Sequence, residues 1–101
     1  MDWEAISFGI ITSTASAKSN AFKAIEAAKS KDFNLSNSLI ETAKSELSSA
    51  RKFHMDVVAK EANKEKVEYS VLYIHAEDSL TSAEVIIQLS VQIIDIWKDK
   101  K

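Results

Sequence analysis

Two histidines and a short run of carboxylates are the residues best equipped for chemistry. His75 is followed by Glu77 and Asp78, and Ser79 stands one helical turn beyond it. A neutral imidazole is abundant near neutral pH, because its unperturbed pKa is about 6.5. Its lone pair can attack phosphorus, and the resulting phosphoramidate transfers readily. Asp78 interrupts an apolar pattern, Val71, Ile74, Asp78, Ser82, Val85, Leu89, Ile93, Ile96. Read as a core stripe, that pattern buries a carboxylate, which is costly unless the group is paired, hydrogen-bonded or metal-bound. No lysine or arginine lies between Glu68 and Lys98, so a compensating cation must come from another helix. Alternatively, copies of Asp78 in a symmetric oligomer share one hard cation, or Asp78 sits at a solvated edge. The residues alone also leave open a packed or surface role for His75. His54 has no acid three or four positions away and reads as structural, and Glu61, Glu65 and Glu68 read as a solvated turn region.

Other chemistries drop out. The chain has no cysteine, which removes disulfides, thiolate metal sites and a cysteine nucleophile. With one glycine and two histidines it has no phosphate-cradling loop, paired-histidine metal motif or EF-hand spacing. A formal net charge of -2 without a separate basic cluster argues against nucleic-acid binding.

The elements that position these residues are helices. The 101 residues suit a single domain, 1–101, and lack proline entirely. Polar breaks at Ser30–Asn34 and Asn63–Lys66 predict three helices, about Trp3–Lys29, Phe33–Ala62 and Glu68–Asp99. Asp32 is suited to N-cap the second, and Asn63 to close it. Connections this short make neighbours antiparallel, so the expected fold is all-α, an up-down-up three-helix bundle. Helix 1 aligns Trp3, Ile6, Ile10, Ala17, Ala21, Ala24 and Ala28. Helix 2 aligns Leu35, Leu39, Ala43, Leu47, Ala50, His54, Val57 and Glu61. The end of helix 3, Val85–Trp97, is apolar around more than one stripe, which predicts contact with other subunits as well as its own bundle, the alternative being a wide internal contact in a tight monomer. Gln88, Ser90, Gln92 and Asp95 break that stretch, short of a membrane span of about 20 residues. The acidic start Met1-Asp2-Trp3-Glu4 is unlike a signal peptide. The expected location is cytoplasmic, with no membrane insertion.

The segment Tyr69–Thr81, Tyr-Ser-Val-Leu-Tyr-Ile-His-Ala-Glu-Asp-Ser-Leu-Thr, resembles the signature of the lactose/cellobiose IIA family of the bacterial sugar phosphotransferase system. That signature is a hydrophobic run followed by His-Ala-Gln-Asp-His-Leu-Met-Thr. Ala17-Lys18-Ser19, Ala24–Lys29 with Asp32-Phe33, and Lys60-Glu61-Ala62 are similar to its first helix, first turn and approach to the second turn. The resemblance implies that His75 accepts a phosphoryl group from the phosphohistidine of the carrier HPr and passes it to a cysteine of a IIB component. The membrane IIC component then phosphorylates a sugar, typically a β-linked disaccharide. It further implies a homotrimer with helix 3 near the three-fold axis, where Asp78 shares a divalent metal ion of the magnesium type. Three positions depart from the pattern. Glu77 replaces glutamine and adds negative charge, Ser79 replaces the second histidine, and Lys31 replaces the glycine before Asp32. The first two weaken charge stabilisation of the transferred group. Ser79 is left as the phosphate-stabilising candidate, and Leu72 and Leu80 as docking residues. A histidine phosphotransfer domain of a two-component relay is disfavoured, because Ala76-Glu77-Asp78-Ser79 lacks its His-x-x-Lys-Gly motif. The remaining alternative is a noncatalytic interaction or regulatory protein derived from the IIA family.

Overall fold

With no proline to break it, the backbone is helical wherever caps allow, and the caps define three long helices. The structure, a computed structural model, describes residues 2–100. Helix α1 spans Trp3–Lys29, α2 spans Phe33–Ala62 and α3 spans Val71–Asp99, the antiparallel up-down-up order expected. The first two match the sequence prediction. The third begins later than Glu68, because Ser70 caps it by accepting a hydrogen bond from the Tyr73 N–H at 3.1 Å.

Both turns use one device. The residue after each C-cap is a lysine in the left-handed region, Lys31 at φ 63° and Lys64 at φ 61°. The N–H groups of Lys31 and Asp32 donate to the Ala28 and Ala27 carbonyls at 2.9 Å, and those of Lys64 and Glu65 to the Glu61 and Lys60 carbonyls at 3.0 Å. This is the paired bonding of a Schellman closure. Lys31 therefore fills the place of the expected glycine without a change of turn type, at a cost of about 1 kcal/mol for the left-handed backbone. Asn63 is the C-cap at φ -84°, so the left-handed position falls on its neighbour. Asp32 closes one helix and caps the next, its carboxylate accepting from the Leu35 N–H at 3.1 Å.

The rod measures 55 × 20 × 18 Å, and α1 is its spine, packing along both other helices. Ala17, Ala21, Ala24 and Ala28 are fully buried, and their small side chains let the neighbours approach closely. Ile40, Leu47 and Val57 from α2, with Tyr73, Leu80, Ile87 and Ile94 from α3, supply the bulk. Hydroxyls in the core are satisfied: Ser36 donates to the Ala24 carbonyl across helices at 2.8 Å. Leu35, expected inside, is exposed because this serine takes the inward position.

One expectation about α3 is overturned. The stripe Val71–Ile96 is not the intrachain core. Val71, Ile74, Val85, Leu89, Ile93 and Ile96 are all exposed, and Asp78 and Ser82 are exposed between them. The inward face is Tyr73, Ala76, Leu80, Ala83, Ile87, Ser90 and Ile94. Thus α3 has two apolar faces, one of them without a partner in the single chain. For the same reason α3, despite its polar breaks, is long and apolar enough by length and composition alone to cross a membrane, although part of that stretch is buried inside the bundle.

Candidate functional site

His75 is the fifth residue of α3 and is exposed. No other group among the described residues hydrogen-bonds its ring. Counting about 100° per residue, it lies between the flank facing α1 and the exposed apolar stripe. Val71 and Ile74 stand beside it in solvent. Of the two leucines expected to dock partners, Leu72 is half-buried and Leu80 is in the core. Val71 and Ile74 are instead the exposed apolar residues beside His75 on α3.

On the α1 flank lies a hydroxyl and ammonium cluster. Ser79 is buried, and its Oγ meets Thr14 Oγ1 at 2.5 Å. The Thr14 hydroxyl donates to the Ile10 carbonyl at 2.8 Å, so the Thr14–Ser79 contact needs the serine proton. Lys18 Nζ then donates to Ser79 Oγ at 3.2 Å and to Ser82 Oγ at 3.1 Å. Sequence reasoning missed Lys18 as a site residue; its position on α1, 61 and 64 residues before its partners Ser79 and Ser82 on α3, hides the proximity.

The opposite flank faces α2. Glu77 Oε1 receives the Tyr73 hydroxyl and meets His54 Nδ1 at 2.7 Å. An ionised carboxylate only accepts, so the imidazole donates through Nδ1–H. Burial, and then the bond to Glu77, push the Tyr73 phenol pKa up, keeping it protonated as a donor. Trp3 packs edge-on to the same ring, centroids 5.6 Å apart. His54 thus has an acidic partner after all, supplied by another helix. Glu77 is turned away from His75, and its charge is engaged by two donors.

Asp78 is exposed and forms no ion pair among the described residues. Within one chain, no three histidine, aspartate or glutamate side chains among the described residues converge to hold a metal. A lone carboxylate is too few ligands for a hard divalent cation; three copies around an axis offer the oxygen donors such an ion takes. A hollow of about 790 Å³ between Phe22, Ile25, Leu35 and Leu39 lies at the far end of the rod. It has no part in this site.

Comparison with known proteins follows the same lines. Residues 5–98 match the family model described as the PTS system, Lactose/Cellobiose specific IIA subunit. The lichenan-specific phosphotransferase enzyme IIA component of Bacillus subtilis is 33% identical over 97 residues, covering 96% of this chain and 88% of that protein. The cellobiose-specific EIIA component of Lactococcus lactis is 31% identical over 93 residues, with 92% and 80% covered. The crystal structure of the cellobiose-specific enzyme IIA from Bacillus anthracis superposes with a TM-score of 0.93 at 33% identity, covering 97% of this chain and 90% of that one.

Proposed function

The chain belongs to the lactose/cellobiose IIA family of the sugar phosphotransferase system, and from that premise we propose that His75 carries the phosphoryl group. The observation that supports this reading is the exposure of His75 on a face bordered by apolar residues, where two successive protein partners can reach it. The donor is the phosphohistidine of HPr. Its N–P bond breaks with the electron pair returning to the donor ring, while the lone pair of neutral His75 forms the new N–P bond. The proton shed by the phosphorylated His75 ring balances the one the donor ring regains. In the second transfer the thiolate of a IIB cysteine takes the group, forming an S–P bond as the His75 N–P bond breaks. Such loose transition states depend on alignment and charge stabilisation more than on acid/base work. Ser79 belongs to the group that steadies the phosphoryl oxygens. The sugar, a β-linked disaccharide, is phosphorylated downstream by the IIB and IIC components, and the chain works in the cytoplasm.

The functional form is a homotrimer packed through the exposed α3 stripe. Asp78 is the residue that would hold a divalent ion of the magnesium type between the copies, where the ion would neutralise charge in an otherwise apolar seam.

Incubation with phosphoenolpyruvate, the first enzyme of the system and HPr tests the carrier role. The expected result is a mass gain of about 80 Da, one phosphoryl group on a histidine nitrogen, absent in His75→Ala. A chain that gains no mass is instead a noncatalytic member of the family, and a His75→Ala variant that still gains it has its acceptor elsewhere.

A further inference from the structure

The Lys18 ammonium has no carboxylate within 4.0 Å among the described residues. It is held by two neutral oxygens, Ser79 Oγ and Ser82 Oγ, at 3.2 and 3.1 Å. Both hydroxyls direct their own protons elsewhere, Ser79 toward Thr14 and Ser82 toward the Ser79 carbonyl at 3.2 Å. Each therefore offers Lys18 only a lone pair. Two of the three ammonium donors are engaged, and the third donor and the whole positive charge remain unmatched.

Its place relative to His75 follows from helix geometry. Four residues beyond His75, Ser79 is turned by about 40°; seven beyond, Ser82 is turned by about 20° the other way. An ammonium bridging the two lies on the same meridian of α3 as His75, about 6–10 Å further along the axis. Lys18 is anchored on α1, which runs parallel to α3 in the up-down-up order. Helical side chains lean toward their own N-terminus, so the Lys18 stem leans toward the His75 end. A phosphoryl group on the ring shortens the remaining gap and brings the dianion that the ammonium lacks.

From this geometry, and resting on the carrier reading above, we infer that Lys18 is the cation that binds the phosphoryl group of phosphorylated His75, with Ser79 and Ser82 as the clamp that aims it. Ser79 then acts through Lys18. Its single proton is committed to Thr14, and its burial leaves little surface for a phosphate oxygen. Lys18 also offsets the motif's loss of a basic side chain at Ser79, since it brings charge to the same flank from a different helix.

The test compares the unsubstituted chain with Lys18→Met and Lys18→Arg in the reconstituted phosphorylation by HPr. The methionine variant is expected to accept phosphate at least about tenfold more slowly, the loss of one charge-assisted phosphate contact. Arginine restores most of the rate. In phosphorus NMR, the apparent pKa of the phosphoryl group rises in Lys18→Met by about half a unit or more, because the cation favours the dianion. A merely structural lysine would not move that titration. Ser79→Ala slows transfer in the unsubstituted background and adds no further loss to Lys18→Met. Lys18→Gln provides a second neutral variant if methionine disturbs the bundle. Wild-type rate and an unchanged phosphorus titration in the neutral variants overturn the role of Lys18 and leave the carrier reading intact. Failure of the unsubstituted chain to be phosphorylated overturns both.

Discussion

Two positions along a helix turn a side chain by about 200°, and that spacing decides what Glu77 does. Next to His75 in sequence, it reads as an electrostatic handicap for an incoming phosphate. In the fold it faces α2, bonded to Tyr73 and His54. Burial first, and then the Glu77 bond, raise the Tyr73 phenol pKa above its ordinary value of about 10. A raised acid pKa means the folded state holds its proton more tightly than the unfolded one. Stability from this group is therefore complete below pH 10 and falls as pH rises toward the folded pKa. Urea titrations at pH 8 and pH 11 should show a larger alkaline loss in the unsubstituted chain than in Tyr73→Phe. Equal losses would mean the phenol titrates normally in the fold. The candidate histidine was legible at this scale, since His75 stands out by type and neighbours. The pairing of His54 was not, because its acid comes from a residue 23 positions away.

At the scale of the element, caps and the absence of proline made the helices readable almost to the residue. The turns were harder. Nothing local announces that a lysine will adopt positive φ; it does so because the helices on either side must reverse within a few residues. Each lysine carries backbone strain that glycine would not. Lys31→Gly should raise stability by about 0.5–1 kcal/mol, read as a higher urea midpoint with an unchanged slope. Lys64→Gly should do the same. A drop in either midpoint would show that the lysine side chain contributes more than its backbone costs. The stripes of α1 were legible because it has one inward face. For α3 the periodicity was sound and its assignment was inverted. Two apolar faces share one helix, and sequence alone cannot say which meets α1 and α2. Tyr73, Leu80, Ile87 and Ile94 hold that position.

For the whole molecule, the feature that bears on the proposed association is the exposed apolar face of α3. Six large apolar side chains on one meridian of a slender rod form the kind of patch that ordinarily meets a partner. Light scattering on the proposed trimer should give three chain masses, and Leu89→Lys should shift the population toward single chains. Asp78 lies within the same seam. If three copies share a cation, chelation lowers the melting temperature of the unsubstituted chain and leaves Asp78→Asn unaffected. Identical melting with and without chelator removes the ion from the description. The excess apolar width of α3 was legible in the sequence. The symmetry of a trimer is a property of several chains, and no single sequence displays it.

The spacing of that seam has a consequence for alignment. Val71, Ser82 and Ile93 recur every eleven residues, as do Ile74, Val85 and Ile96, and Asp78 and Leu89 form the third such set. Eleven residues in three turns is about 3.67 per turn, which favours nearly straight or slightly right-handed winding over the left-handed coil of heptads. Uniform undecads could slide past one another by a whole unit and lose little. In the proposed trimer such a slip would oppose the Asp78 carboxylate to a leucine side chain, so one acidic layer would key the copies into a single longitudinal phase. Every His75 imidazole would then stand at the same height around that trimer.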